Sequence, residues 1–198
     1  MTNRRADRQA VPLALRDAAV MLLLGVSVLL SAATVADAAP LRIVAIGASN
    51  THGWYVGNRG AYPAKLEALL KAKGIDAQVT NAGVPVDTTA GMLKRIDSDV
   101  PKGTDIVILQ PGGNDKRFLM SKEQRAANIA AMERHLRNRS IKVIVYDDDI
   151  PLRYYALDFI HLTGEGHAMI AAALLPRVMR AIGRPADSAA AGRKPQKP

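Results

Sequence analysis

Short apolar runs alternate with longer stretches of helical periodicity along most of this chain. Four short runs rich in apolar residues are typical of strands in a buried parallel sheet. The predicted strands are Leu41–Ile46, Ala77–Thr80, Asp105–Leu109 and Ile141–Tyr146.

Between these strands the apolar residues recur at the spacing of an amphipathic helix. The stretch Ala61–Lys73 carries Leu66, Leu69 and Leu70 at this spacing and stops at Gly74, a residue type that commonly ends helices. Three further helices are predicted over residues 88–97, 121–137 and 163–182.

Capping residues support two of the helix starts. A side chain at residues 87–89 can accept from the first-turn N–H groups, and Ser121–Gln124 forms a capping box. The last helix contains Pro176, which has no N–H and clashes with the preceding turn. We therefore expect a kink or a break at Pro176.

Strands that alternate with helices predict an α/β fold, a parallel sheet covered by helices on both faces. Ala39 to Pro198 is long enough for one domain, and we see no internal repeat. In such sheets ligands bind beyond the carboxyl ends of the strands. Functional residues are therefore expected at that edge.

The first 38 residues follow a different pattern. Four arginines precede the apolar run Val20–Leu30, and small residues follow it up to Ala38. This order predicts a secretory signal peptide over 1–38, because the run is shorter than the roughly 20 residues that span a bilayer. We expect export to the periplasm or the medium without stable membrane insertion; an uncleaved anchor is the alternative.

Charge and composition limit the partners. The formal net charge is +9, and the Ala/Pro/Lys-rich segment 185–198 is predicted to be a disordered basic tail. A basic surface favours anionic partners, although a solvated surface is the simpler explanation. Aromatic residues are not interleaved with the basic ones, so we expect no nucleic-acid partner. The absence of cysteine excludes disulfides and thiolate metal sites.

Four polar motifs follow the predicted strands in order. They are Gly47–Thr51, Asn81–Gly83, Gly112–Asp115 and Asp158–His161. A serine, a histidine and an acid together convert a weak alcohol into an acyl-transfer nucleophile. Each motif alone has an ordinary explanation as a cap or a turn, but their order and shared edge favour catalysis.

The catalytic hypothesis assigns one role to each residue. Ser49 is the nucleophile, His161 the general base and Asp158 the acid that orients the histidine. The oxyanion donors are the N–H groups of Ser49 and Gly83 and the side chain of Asn114.

These motifs resemble those of the SGNH hydrolases in the GDSL lipase/esterase superfamily, close to their thioesterase/lysophospholipase and arylesterase branch. The resemblance covers Leu41 to Gly183, within a predicted hydrolase domain over 39–184. It implies a flavodoxin-like three-layer α/β/α sandwich with a small sheet of four to five parallel strands. It also implies a Ser-His-Asp mechanism without a metal or a cofactor.

Three departures from the family pattern concern the loops. Ala48 replaces the usual acid, and Pro85–Val86 replaces small residues, which predicts a stiffer or displaced oxyanion loop. The segment 146–158 is short, because many relatives have another helix and strand there. We therefore expect four strands and a more open site.

Aromatic residues near the motifs are candidates for the substrate pocket. Trp54, Tyr55, Phe118 and Tyr155 are assigned to it, with ordinary packing as the alternative. His52 either lines the pocket or faces solvent, and His167 is expected to cap or pack rather than catalyse. The run Asp147–Asp149 is interpreted as a solvated loop and not as a metal site.

The sequence therefore predicts an exported serine esterase for short acyl or aryl esters, thioesters or lysophospholipids. The first alternative is an O-acetyl esterase acting on cell-envelope carbohydrate. The second is a catalytically silent binding module, which is disfavoured because no triad member is missing. No large apolar lid is evident, which disfavours action on long-chain lipids. The oligomeric state is left open.

Overall fold

A computed structural model describes residues 39–184. Within them, four strands form one parallel sheet in the order β2-β1-β3-β4. The strands are β1 Leu41–Gly47, β2 Ala77–Gly83, β3 Ile106–Gln110 and β4 Lys142–Val145. The predicted α/β fold and its four strands are confirmed.

Four long helices cover the sheet. They are α3 Tyr62–Ala72, α4 Thr89–Asp99, α6 Lys122–Asn138 and α7 Gly164–Ala181. Three short helices were not predicted: α1 Ser49–His52, α2 Gly57–Gly60 and α5 Asn114–Arg117.

Alternate residues of the strands point to two separate cores. Ile43 and Ile108 pack with α3 and α7 on one face, whereas Val44 and Leu109 pack with α4 and α6 on the other. This period of two is what a strand buried on both faces requires. The result is the predicted three-layer α/β/α sandwich.

The register of the sheet aligns the strand ends that carry the candidate site. Gly47 at the end of β1 pairs with Gly83 of β2 on one side and with Gln110 of β3 on the other. The loops that follow these three strands therefore start at the same level, along the carboxyl edge of the sheet.

Helix α7 shows no break at Pro176, which was one of the two outcomes expected there. The helix runs without a break from Gly164 to Ala181, with the proline inside it. Pro176 removes one hydrogen bond, but Leu174 and Val178 on either side of it are fully buried against the sheet. Packing of this apolar face holds the helix together.

The connection from β4 to α7 has little regular structure. It contains one turn of 3₁₀ helix, Leu152–Tyr154, and one isolated bridge between Tyr155 and Leu162. The predicted signal peptide and basic tail lie outside the described residues. No helix in residues 39–184 is long and apolar enough to cross a membrane.

Candidate active site

Ser49 is the first residue of α1, directly beyond the end of β1. Its N–H lies in the first turn of that helix, where no intrahelical acceptor exists. Gly47 permits the tight turn before it, because a Cβ there would lie 1.9 Å from Thr51 Oγ1. The serine is 8% exposed, so its surroundings are mostly protein.

Asp158 and His161 form a hydrogen-bonded pair in the loop before α7. His161 Nδ1 lies 2.6 Å from Asp158 Oδ2. The N–H groups of His161 and Ile160 both donate to Asp158 Oδ1 at 3.0 Å. The hydrogen bonds from His161 and Ile160 hold the pKa of this carboxyl well below its usual range. The ionised carboxylate can only accept, so His161 carries its proton on Nδ1 and Nε2 is left as a base.

Two aromatic side chains contact the His161 ring. Trp54 stacks on it with centroids 5.4 Å apart and planes 19° apart. Tyr55 meets it edge-on at 5.4 Å, and a hydrogen bond to Asp158 raises the pKa of the Tyr55 hydroxyl. These contacts restrict the orientation of the imidazole.

Two cavities meet at Ser49. The smaller, about 240 Å³, is lined by Ser49, His161 and Asn114 together with Trp54 and Phe118. No hydrogen bond joins Ser49 to His161 within residues 39–184. Such contacts are often long in the absence of substrate.

The larger cavity, about 470 Å³, shares Ser49, Asn114, Arg117 and Ile160 with the smaller one. It is lined by Ser49 and Asn114 and by polar or aromatic groups that include Asp149, Arg117 and Tyr155. Trp54, Phe118 and Tyr155 thus line cavities at the serine. Tyr55 lines neither of these two and instead contacts the Asp158–His161 pair.

The contacts of Gly83 do not support its predicted role as an oxyanion donor. Its N–H donates to Asn81 Oδ1 at 3.0 Å, and the residue lines neither cavity. A Cβ at this position would lie 2.1 Å from the backbone nitrogen of His52. Glycine is needed here because β2 packs directly against the backbone of α1.

The next turn brings a different backbone group to the smaller cavity. The Asp87 N–H donates to the Val84 carbonyl at 3.2 Å, with Pro85 and Val86 between them. Val86 lines the smaller cavity and has a φ of 66°, which is a rare conformation for a β-branched residue. Its N–H has no partner within the described part of the chain.

Sequence reasoning missed Val86 as a residue of the smaller cavity whose N–H has no partner within residues 39–184. The available signal was Pro85, since proline favours the second position of a turn whose third position needs positive φ. The turn is not evident in the sequence, because its third position is a valine where glycine is usual.

Asn114 connects this turn to the end of β3. Its Nδ2 donates to the Asp87 carbonyl at 2.8 Å, which uses one of the two amide hydrogens. The residue lines both cavities, so the other hydrogen is available at the serine. The next residue, Asp115, is buried and accepts from the N–H and hydroxyl of Thr89 at 2.9 and 3.0 Å.

Arg95 of α4 joins the ends of two strands to the Val86 turn. Its guanidinium donates to the Gly47 carbonyl at 3.1 Å, the Ala82 carbonyl at 2.9 Å and Asp87 Oδ2 at 2.8 Å. It also pairs with Asp99. In the sequence Arg95 is indistinguishable from a surface residue paired with Asp99 four positions later.

The remaining polar candidates lie outside the catalytic arrangement. His52 is exposed and lies with Nδ1 3.3 Å from the Gly83 carbonyl. His167 is fully buried, accepts from the Tyr62 N–H at 3.3 Å, and has a pKa lowered to about 4 by burial and by Lys65. His167 therefore packs as a neutral side chain.

The acidic run Asp147–Asp149 lies at the larger cavity. Asp147 pairs with Arg125 and Asp148 with Arg177, which agrees with a solvated loop held by ion pairs. Within residues 39–184 no group of three acidic, histidine or cysteine side chains is arranged to hold a metal ion.

Comparison with known proteins places this geometry in context. A model of the GDSL-like lipase/acylhydrolase family matches residues 45–154, a range that includes Ser49 and Asn114 and stops before Asp158. The chain is 29% identical over 143 residues to Esterase TesA of Pseudomonas aeruginosa, covering 70% of this chain and 67% of that protein.

Two solved structures share the fold. A crystal structure of TesA matches with a TM-score of 0.65 and 19% identity, covering 71% of this chain and 99% of that one. AlinE4, an SGNH-hydrolase family esterase, matches with a TM-score of 0.52 and 25% identity, covering 80% and 85%.

Proposed function

The chain belongs to the GDSL-like lipase/acylhydrolase family of ester hydrolases, and we propose that it is a serine esterase that uses Ser49, His161 and Asp158. The observation that carries this assignment is the Asp158–His161 pair at 2.6 Å, with its histidine on the cavity that Ser49 lines. Because Nδ1 contacts Asp158, Nε2 is the ring nitrogen that can accept the serine proton.

The proposed reaction has two symmetrical halves. As Ser49 Oγ attacks the carbonyl carbon, its proton passes to His161 Nε2. The bond to the leaving alkoxide then breaks, and His161 gives the proton to that oxygen. Water repeats the sequence on the acyl-serine, which releases the carboxylic acid and restores the serine.

The oxyanion is assigned three donors. They are the N–H groups of Ser49 and Val86 and the second amide hydrogen of Asn114. Val86 replaces Gly83 in this assignment because its N–H is free and it lines the smaller cavity. Loss of one such donor typically lowers the rate about 100- to 1000-fold.

The two cavities suggest where the acyl and alcohol parts of an ester bind on either side of its carbonyl carbon at Ser49. The smaller one has apolar walls from Trp54, Val86 and Phe118 and suits a short acyl or aryl group. The larger one is polar and suits the alcohol. We propose that the protein acts after export, directed by the basic and apolar leader at its start.

The polar cavity favours a second candidate, an O-acetyl esterase acting on carbohydrate. Asp149, Arg117 and Asn50 offer hydrogen-bonding groups, and Tyr155 offers an aromatic face to a sugar ring. In this case the acetyl group would occupy the smaller cavity and the sugar the larger one.

Hydrolysis of p-nitrophenyl esters, from acetate to palmitate, tests the assignment. We expect activity that falls with acyl length and is abolished in Ser49→Ala, while the melting temperature is unchanged. Normal turnover by a folded Ser49→Ala protein would overturn the mechanism. Activity on an acetylated oligosaccharide but on no aryl ester would favour the second candidate, and activity on neither would indicate a binding module.

A further inference from the structure

Exposed large hydrophobic side chains are concentrated at one edge of the molecule. Within residues 39–184 there are ten of them, each between 42% and 96% exposed. All ten lie in the loops around the candidate site, at residues 54–55, 84–86, 118–119 and 152–160. We call these loops the apolar rim.

Catalysis accounts for only some of the apolar rim. Trp54, Val86 and Phe118 line the smaller cavity, whereas Leu119 and Leu157 line neither cavity. These two leucines are 93% and 96% exposed. Monomeric proteins rarely leave such side chains grouped on one side unless that side binds another surface.

Backbone conformation reinforces this point. Five residues other than glycine have positive φ in the described part of the chain, and four of them are apolar-rim residues. These four are Tyr55, Val86, Leu119 and Phe159, with φ between 54° and 70°. Bulky residues rarely adopt this conformation, and it is concentrated at functional sites.

Charge indicates which kind of surface the rim fits. Lys116 and Arg117 directly precede the apolar tip at Phe118–Leu119, and neither forms an ion pair within residues 39–184. Arg153, beside Leu152, lies over the ring of Tyr154. Cations beside exposed apolar side chains are suited to an anionic lipid surface.

Two carboxylates of the same edge are already paired with cations, Asp147 with Arg125 and Asp148 with Arg177. Asp158 is hydrogen-bonded to His161, and Asp149 forms no ion pair within residues 39–184, so the unpaired cations Lys116, Arg117 and Arg153 outnumber these two acids. Two copies meeting rim to rim would bring like charges together, so self-association is disfavoured.

We propose that the apolar rim docks this protein onto anionic lipid surfaces, with Leu119 and Leu157 entering the lipid and Lys116 facing the headgroups. Docking would place the mouth of the Ser49 cavities against the lipid. Esters dissolved in the lipid would then reach the serine without crossing water. The docking itself does not depend on the proposed chemistry.

Vesicle sedimentation tests the docking with the segment Ala39–Pro198, which begins after the predicted signal peptide and contains the described residues 39–184. We expect binding to phosphatidylcholine vesicles that contain phosphatidylglycerol and weak binding to phosphatidylcholine alone. The double variant Leu119→Ser/Leu157→Ser should bind at least tenfold more weakly. Lys116→Glu should weaken binding at least about fivefold, because each cation near an anionic surface contributes about that factor.

Arg180→Glu is the matched control. Arg180 is exposed in the last turn of α7, whose Ala181 carbonyl accepts from Lys142 at the start of β4. It therefore lies at the opposite edge of the sheet, and its reversal should leave binding unchanged. Equal binding by the wild type and the two rim variants, or no vesicle binding by the wild type, would overturn the proposal.

Two further measurements, ester hydrolysis and gel filtration, distinguish docking onto lipid from self-association. The rim variants should hydrolyse a soluble p-nitrophenyl ester at the wild-type rate, because Leu119, Leu157 and Lys116 line neither cavity. Loss of vesicle binding with retained ester activity supports docking. A dimer that only the rim variants lose in gel filtration would identify a self-association surface instead. Binding without any ester activity would contradict the proposed function alone.

Discussion

The serine side of the candidate site is anchored to the sheet and to α4, whereas the histidine side lies on a loop that bonds mainly to itself. On the serine side, Arg95 joins the carbonyls of Gly47 and Ala82 to Asp87, and Asn114 donates to the Asp87 carbonyl. These partners come from distant parts of the chain, so the position of the Val86 turn depends on the whole fold.

The histidine side is stabilised by local hydrogen bonds. The Ala156 N–H donates to the His161 carbonyl at 2.7 Å, and Asp158 accepts from its own loop. Asn50 links the loop to α1, the helix that begins at Ser49: its Nδ2 donates to the Ile160 carbonyl at 3.2 Å, and its Oδ1 accepts from the Leu162 N–H at 3.0 Å. The difference suggests that the Val86 turn is fixed by tertiary packing, whereas the loop that carries His161 is linked to α1 by one side chain, Asn50.

Removal of Arg95 should have the largest effect on kcat, because Arg95 links the strand ends on the serine side to the Val86 turn. In Arg95→Ala, Asp87 and two strand-end carbonyls lose a partly buried cationic donor. Displacement of the Val86 turn by about 1 Å would lower kcat about 100-fold, with a smaller change in KM. Steady-state kinetics on a soluble p-nitrophenyl ester measures both constants.

Two variants sharpen the Arg95 test. Arg95→Lys keeps the charge but not the fork of donors and should restore activity in part. Lys94→Ala alters an exposed neighbour on the same helix and should have no effect. If Arg95→Ala lowers stability without changing kcat at a temperature where it is folded, Arg95 does not position the turn.

Changes at Asn50 test the histidine side and should have a smaller effect, on the order of tenfold in kcat. Asn50→Ala removes both links to the loop, whereas Asn50→Asp keeps the acceptor for the Leu162 N–H and loses the donor to Ile160. We expect the aspartate variant to be intermediate. Hydrogen exchange should increase in residues 156–162 and stay unchanged in the Val86 turn. Equal protection of that loop in the wild type and Asn50→Ala would contradict the link.

The same contrast explains which parts of the site were predictable. Strand alternation and the order of the motifs placed Ser49, Asp158 and His161 at one edge, because parallel strands must end together there. The Asp158–His161 contact joins residues three apart in one loop, so a short motif contains it. The α/β fold was predictable for a similar reason, because the hydrophobic pattern of its buried strands is a local property of the sequence.

Long-range contacts were not predictable from local patterns. Gly83 was assigned from its position in a motif, but its N–H is taken by Asn81, and its lack of a side chain serves packing against His52. The role of Arg95 depends on three acceptors that lie 8 to 48 positions away in the chain. A break at Pro176, one of the two outcomes expected there, does not occur, because the buried face holds α7 together.

The smallest effect is expected from Val86→Gly, which removes the side chain of this residue and keeps its backbone N–H. Positive φ in a β-branched residue costs about 1–3 kcal/mol, and glycine relieves it at an entropic cost of about 0.5–1 kcal/mol. We therefore expect the free energy of unfolding to rise by about 1 kcal/mol in a denaturant titration. The backbone N–H is retained, so activity on a short ester should change only a few-fold.

Removal of the Val86 side chain also widens the smaller cavity, of which it forms one wall. The optimum in a p-nitrophenyl ester series should therefore move toward longer acyl groups. A variant that gains stability but keeps the wild-type chain-length profile would show that the valine does not select the acyl group. A loss of about 100-fold on every ester would instead mean that the side chain holds the N–H in place. In that case the strained turn would itself be part of the oxyanion site.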